Sequence, residues 1–472
     1  MTSPQQIIEQ AVKAAAAFRE LDQKRVDAIV RAVYLAALDA RVKLARLANE
    51  ETGLGVREHK VIKNVIAAQL VYEDIKNQRT VGVISEDPRG GMVELARPLG
   101  PIMGFIPVTN PTSTAIFKSL ITMKTRNPLI LSSSPAARRC TTATAQRCDD
   151  AALSAGAPEH CIQWFTKPTA HAVEEMLDSR HLALILATGT DKIVRRAHTS
   201  GTPAIGVGPG NVPVYIGVTA DIAFAVRNII ESKTFDNGTV CASEQSVVVR
   251  RLLADAVIQE FQRCGAHFLT REEADKVAAI AYDPDARAMK ATVVGQSVQV
   301  IARRAGICVP EDVVVLMARL DGVGVDHPLS AEILAPILGF YVEEDFETAI
   351  GRCSEITRFG GTGHTAVIYS NTDERVEYFA EKVDASRILV NMSSTFGALG
   401  GMYSSLNPSF TLGCGSGGRN ITTDNITTRH LLNIHRLARR RPNPRWIAFD
   451  KARYLDDAVA AEQLEAEFNR NF

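Results

Sequence analysis

Apolar residues recur at helical spacing from the start of the chain. Ile7, Ile8, Ala11, Val12 and Ala15 share one face behind Ser3-Pro4 and Gln6, and a serine followed by proline is a helix-start pattern. The first 75 or so residues are predicted to be largely helical. The period then shortens to two. Thr80-Val-Gly-Val-Ile-Ser and Gly91-Met-Val-Glu-Leu-Ala alternate around the turn residues Glu86-Asp-Pro-Arg-Gly, which predicts a β-hairpin over 80–97 and a protruding arm.

From Pro101 short apolar runs alternate with helical stretches: Ile102–Val108, Leu129–Leu131, Cys161–Phe165, Leu182–Ala187 and Val212–Ile216. Runs of this kind are strands of a parallel sheet covered by helices. A second series starts near Gln245-Ser-Val-Val-Val and includes Thr365-Ala-Val-Ile-Tyr and Arg387-Ile-Leu-Val, so a second α/β domain is expected from about residue 240. Arg436 through Arg445 reads as the solvated face of a helix, ahead of Trp446-Ile-Ala-Phe.

Composition narrows the partners. The 472 residues are 46% hydrophobic and 22% charged, enough for two or three globular units. Lys plus Arg equals Asp plus Glu at 53 each, and the arginine-rich stretch lacks interleaved aromatics, so nucleic acid is excluded as an expected partner. No apolar run approaches the roughly 18 residues of a membrane span, and the N-terminus lacks a leader pattern; a soluble cytoplasmic protein is expected. Eight scattered cysteines without a Cys-x-x-Cys pair read as reduced thiols, and no metal site is expected.

Several residues carry candidate chemistry. Cys241 lies between a helical stretch, Asp221–Lys233, and an apolar strand; by residue type alone it is as readily a small buried hydrophobe as a nucleophile. Asn110 before Pro111 is equally a turn residue, His364 a structural histidine and Glu332 a solvated carboxylate. Leu182–Ala187, Thr188-Gly-Thr and the residues from Asp191 read as strand, tight turn and helix, with first-turn N–H groups available to a pyrophosphate. Gly413-Cys-Gly-Ser-Gly-Gly fits G-x-G-x-x-G but precedes no convincing helix and is set aside as a decoy.

Taken together, Pro107-Val-Thr-Asn-Pro-Thr-Ser-Thr-Ala-Ile-Phe-Lys, Leu184-Ile-Leu-Ala-Thr-Gly, Gly206-Val-Gly-Pro-Gly-Asn-Val-Pro-Val, Phe235-Asp-Asn-Gly-Thr-Val-Cys-Ala-Ser-Glu-Gln, Phe359-Gly-Gly-Thr-Gly-His-Thr-Ala and Thr411-Leu-Gly-Cys-Gly-Ser resemble the coenzyme-A-dependent branch of the aldehyde dehydrogenase superfamily. They occur in the same order, over roughly residues 80–440. The resemblance implies an α/β fold with a Rossmann-like cofactor domain (1–237), a catalytic domain (238–425) and a C-terminal segment (426–472) that joins the hairpin in an oligomerisation arm. A homodimer or homotetramer is implied, through unpaired edge groups on the hairpin.

The resemblance also assigns roles. Cys241 becomes the nucleophile, and Asn110 with the Cys241 N–H becomes the oxyanion hole. Hydrolytic members place a water-activating glutamate in a Glu-Leu-Gly-Gly-Lys type motif, where this chain reads Gly206-Val-Gly-Pro-Gly-Asn; attack on the thioester by coenzyme A, assisted by His364, is therefore implied. Phe105, Ile106, Val108, Thr109, Thr188, Gly189, Thr190, Gly208, Pro209 and Glu332 would contact NAD or NADP, Glu332 through the nicotinamide ribose. Ser132-Ser-Ser-Pro replaces a lysine that many relatives place near the adenosine ribose, which leaves NAD against NADP open. Where relatives read Gly-Cys-Gly-Ser-Trp-Gly-Gly-Asn, this chain reads Gly413-Cys-Gly-Ser-Gly-Gly-Arg-Asn420, so Arg419 becomes a candidate ligand for an anionic aldehyde such as succinic semialdehyde or sulfoacetaldehyde, beside acetaldehyde. The sequence ends at 472, and no iron-dependent alcohol dehydrogenase half is expected. Two other readings stay open. A hydrolytic aldehyde dehydrogenase would make a free acid without coenzyme A; a non-catalytic scaffold or filament subunit of the same fold would not need Cys241, Asn110, Glu332 and His364 together.

Overall fold

The computed structural model describes residues 3–166, 169–440 and 450–470. Ser3 caps the helix Pro4–Arg19, accepting from the Gln6 N–H while the Gln6 side chain accepts from the Ser3 N–H. Its buried face is Ile7, Ile8, Ala11, Ala14, Ala15 and Phe18; Val12 lies off that face and is exposed. Helices Gln23–Asp39, Arg41–Thr52, Arg57–Val65 and Val71–Ile75, with a π-helical turn at Ile66–Leu70, complete the predicted helical region.

Strands Gly82–Asp87 and Met92–Pro98 pair antiparallel, and Asp87 Oδ1 accepts the Gly90 N–H at 2.7 Å in the turn. A third strand, Leu432–Ala438, joins them with Met92–Pro98 in the centre. Arg436 thus belongs to a strand and not to the expected helix: Leu432-Asn-Ile-His alternates with period two, and the run of arginines masks that period. Arg441 to Arg445, and Trp446 to Phe449, lie outside the described residues. Residues 79–97 with those from 433 onward form one compact unit, and residues up to 78 with 98–432 form the other.

The larger unit holds two parallel sheets. In the first the order is Ile162–Trp164, Leu129–Ser133, Ile102–Ile106, Leu184–Thr188 and Ala204–Val207. In the second it is Ala266–Phe268, Val315–Arg319, Ile337–Glu343, Glu244–Arg250, Val212–Ile216, Gly363–Tyr369 and Ala385–Val390. The α/β expectation holds, with one change of membership. Val212–Ile216, read with the first series, pairs Val214 with Val247 in the second sheet, because Gly208-Pro-Gly redirects the chain after Val207. Ile102–Ile106 is buried at every position, as is the following helix Pro111–Lys124. The order of the first sheet reverses beside Ile102–Ile106, so the segments after Ile106 and after Thr188 leave adjacent strands at the crevice where α/β sheets take ligands. Among the described residues no helix is long and apolar enough to cross a membrane, and no group of His, Cys, Asp and Glu could hold a metal.

Candidate active site

Helix Ile222–Thr234 reaches Cys241 through a tight turn in which Asp236, Asn237 and Gly238 all have left-handed φ (51°, 53° and 71°). Such angles cost energy at non-glycine residues, and Asp236 is held there by many bonds. Its carboxylate accepts from the Val56 N–H at 2.7 Å, from Lys60 at 3.0 Å and from Lys63 at 2.5 Å, while its N–H donates to His59 Nδ1 at 2.8 Å. Burial pushes the carboxyl up, but Lys63 and Lys60 outweigh that and hold it below its usual range. Lys63 continues to Asn110 Oδ1 at 2.6 Å and to Thr239 Oγ1 at 2.8 Å; burial draws its own pKa down to about 8, against the pull of Asp236. One ammonium therefore ties the turn before Cys241 to Asn110, which opens the helix Pro111–Lys124 without capping it through its side chain.

Cys241 is partly exposed, and its thiol is pushed up to about 12, first by burial and then by Glu332 and Cys414, with Arg387 opposing. The thiol is neutral at rest. His364 is fully buried, with Nδ1 3.0 Å from Thr365 Oγ1 and Nε2 without a partner among the described residues; burial, helped by Arg387, drives it down to about 3, so the ring is neutral. Gly210 is where these groups meet. A Cβ on it would lie 2.4 Å from the Cys241 carbonyl oxygen and 2.9 Å from His364 Nδ1, which only glycine avoids, and its N–H donates to Glu332 Oε1 at 2.8 Å. Burial raises Glu332 to about 7.

Arg387 is a site residue that sequence reasoning treats only as part of a strand. It is buried, its Nε donates to Thr365 Oγ1 at 3.2 Å and its Nη1 to Thr423 O at 3.2 Å, and Nη2 is buried without a partner among the described residues. Lys60, Lys63 and Asp236 are likewise missed from the sequence. The available signal was a charge inside a buried run: Arg387 beside Ile-Leu-Val, and two lysines three apart on one helix face.

The expected cofactor segments gather at the first sheet's crevice. Phe105 and Ile106 end the central strand, Val108 is half-buried, and the Thr109 carbonyl accepts from Lys60. Thr188 ends the neighbouring strand with Oγ1 3.3 Å from Thr411 Oγ1; Thr190 stands at the start of helix Asp191–His198 and makes no side-chain cap bond. The first-turn N–H groups are thus left without a side-chain cap, and a Cβ at Gly189 or Gly208 would meet nothing within 4 Å. That open, donor-rich turn fits a dinucleotide phosphate. Pro209 is exposed two residues after Val207, the strand partner of Thr188. Arg419 is different: it is exposed, has a left-handed φ of 58° and forms no side-chain hydrogen bond or ion pair among the described residues. The glycine-rich loop that bears it makes only a 3-10 turn at Ser416–Gly418, as expected of a decoy, and packs Cys414 O against Gly363.

Residues 3–409 match the aldehyde dehydrogenase family. The chain belongs to that family. It is 42% identical to a bifunctional aldehyde-alcohol dehydrogenase of Escherichia coli over 453 residues, covering 95% of this chain and 51% of the relative. It therefore spans about half the length of the curated bifunctional relatives it matches (53% and 51%). A succinate-semialdehyde dehydrogenase (acetylating) of Clostridium kluyveri is 34% identical, with 92% of this chain and 95% of the relative covered. Among solved structures, an acetylating aldehyde dehydrogenase from Geobacillus thermoglucosidasius superposes with a TM-score of 0.90 at 43% identity, covering 93% of this chain and 97% of that one. The fold implied by the sequence motifs is thus the fold of the aldehyde dehydrogenases. In this member of the family, the Cys241 backbone carbonyl, the His364 ring and the Glu332 carboxylate converge on Gly210, Asn110 is joined to the Cys241 turn through Lys63 and Thr239, and Arg419 stands apart in the solvent.

Proposed function

We propose that the chain is an acylating aldehyde dehydrogenase: a short aldehyde, coenzyme A and NAD or NADP give an acyl-CoA and the reduced nicotinamide, through a thioester on Cys241. The observation that carries this reading is the meeting of the Cys241 backbone carbonyl, the His364 ring and the Glu332 carboxylate at Gly210. Cys241, which is partly exposed, gives its thiol proton to solvent, Sγ bonds to the aldehyde carbon as the carbonyl π pair moves onto oxygen, and Asn110 Nδ2–H and the Cys241 N–H donate to that charged oxygen. The positive charge of Arg387 opposes the burial that keeps the thiol protonated. Bound NAD or NADP supplies the hydride acceptor that lets the adduct become a thioester. The residues assigned to hold it are Phe105 to Thr109, Thr188 to Thr190, Gly208, Pro209 and Glu332. Coenzyme A then attacks the thioester carbon, the unpartnered Nε2 of neutral His364 takes the thiol proton, and Cys241 leaves and recovers a proton.

A free-acid product needs a base for water. The stretch Gly206–Asn211 offers no carboxylate, and Glu332 is engaged with the Gly210 N–H, which supports acyl transfer over hydrolysis. The five-stranded sheet is assigned to the cofactor and the seven-stranded sheet, which includes Val212–Ile216, to the thiol chemistry, close to the division at 237–238 with the tail from 426. Eight unpaired cysteines support a reducing, cytoplasmic setting, and the two edges of the three-stranded sheet support a homodimer or homotetramer. The exposed, unpaired guanidinium of Arg419 supports an anionic aldehyde, carboxylate or sulfonate, as substrate beside acetaldehyde.

The test is nicotinamide reduction with acetaldehyde, succinic semialdehyde and sulfoacetaldehyde, with and without coenzyme A, in wild type, Cys241→Ala and Arg419→Ala. Steady turnover is expected only with coenzyme A, and none with Cys241→Ala. Turnover indifferent to coenzyme A moves the chain to the hydrolytic reading, and an aldehyde preference unchanged in Arg419→Ala removes the anionic-substrate assignment.

A further inference from the structure

Asn110 is the oxyanion donor of the proposed function, and any role for the group behind it rests on that reading. A primary amide has one end that accepts and one that donates. Lys63 Nζ lies 2.6 Å from Asn110, and an ammonium has only hydrogens to offer, so the atom facing it is Oδ1. The nitrogen is thereby turned the other way, where it gives one hydrogen to Thr109 Oγ1 at 3.2 Å and keeps the other. All three hydrogens of Lys63 are engaged, on Asn110 Oδ1, Asp236 Oδ2 and Thr239 Oγ1. An ammonium fixed in three directions cannot swing to let the amide turn over.

Charge adds to geometry. Among the described residues Asp236 is the one carboxylate that Lys60 and Lys63 pair with, and His59 accepts the Asp236 N–H at Nδ1 and is neutral, so one positive charge is left over there. The three side chains are 3%, 2% and 0% exposed, which leaves little water to screen it. A cation on the oxygen end of an amide polarises it and strengthens its N–H as a donor.

We propose that Lys63 is the positioning residue of the oxyanion hole: it sets which end of the Asn110 amide faces the aldehyde oxygen and places an unscreened positive charge behind it. Thr239 carries the same hold to the turn two residues before Cys241, so both oxyanion donors are braced from one ammonium.

The experiment is rapid-mixing measurement of the first nicotinamide reduction, without coenzyme A, on the full chain carrying Lys63→Met, Asn110→Ala or both. Lys63→Met is expected to slow this step about 100-fold with little change in KM, and to add no more than about threefold to Asn110→Ala, since residues acting as a unit are not additive. Equal slowing with and without Asn110 overturns the inference, as does a wild-type rate in Lys63→Met while Asn110→Ala is slow. A wild-type rate in Asn110→Ala instead removes the role of Asn110 itself, and this inference with it. Lys63→Met with Asp236→Asn guards against failure to fold: it deletes one charge of each sign, keeps Lys60 and leaves the same net charge, while a thioether has no hydrogen to hold Asn110 Oδ1. It is expected to show the same loss, and a wild-type rate in it overturns the proposal.

Discussion

A thiol held up at about 12 and an imidazole held down at about 3 are both neutral near pH 7, and burial is the main cause in each. Nε2 is free to accept a proton, but a ring held at about 3 is a weak base, so the proton passes to it only from a thiol that is losing it as its sulfur bonds to the thioester carbon. His364→Ala is therefore expected to leave the first nicotinamide reduction close to wild type and to slow transfer of the acyl group to coenzyme A by about 100-fold, read by separating the first turnover from steady turnover. A loss in the first turnover of equal size would refute that assignment. At this scale the resemblance to a family, and not local chemistry, named Cys241, Asn110, Glu332 and His364 as candidates, since by residue type each has an equally good structural reading. Lys63, Asp236 and Arg387 were not legible. Their importance comes from which charge faces which, and partners 173 residues apart, such as Lys63 and Asp236, have no spacing to be recognised by.

Among the elements, the strand-turn-helix over residues 184–198 makes the sharpest forecast. Gly189 has free space around its missing Cβ and an ordinary φ, so Gly189→Ala is expected to keep the melting temperature within about 1 °C of wild type. If a dinucleotide phosphate approaches that backbone, the same methyl group weakens NAD or NADP binding by about tenfold, measured by cofactor fluorescence titration. Unchanged binding would place the phosphate elsewhere. Elements with a clean period were read correctly, the first helix and the hairpin among them. The misread one was Leu432–Ala438, where period two was overlaid by a run of arginines, and the helix Pro111–Lys124, buried all round, gives no amphipathic stripe to read.

For the whole molecule, the three-stranded sheet leaves Gly82–Asp87 and Leu432–Ala438 as its two edges, and Leu437 on the second is 43% exposed. If that edge pairs with another copy, Leu437→Lys is expected to lower the mass seen by light scattering. An unchanged mass would show that the edge is not an interface. The sequence by itself determined the fold class, the hairpin and the order of the parallel strands' apolar runs, because periodicity acts over a few residues, while its family-like motifs named Cys241, Asn110, Glu332 and His364 as candidates. Only the tertiary structure decided that Val212–Ile216 crosses to the second sheet, that Gly210 is the point shared by Cys241, His364 and Glu332, and that Lys60, Lys63 and Asp236 form one buried charge cluster behind Asn110. Sheet membership, close approach and unscreened charge are set by what long-range folding brings together and by the water it removes, and neither is written in local spacing.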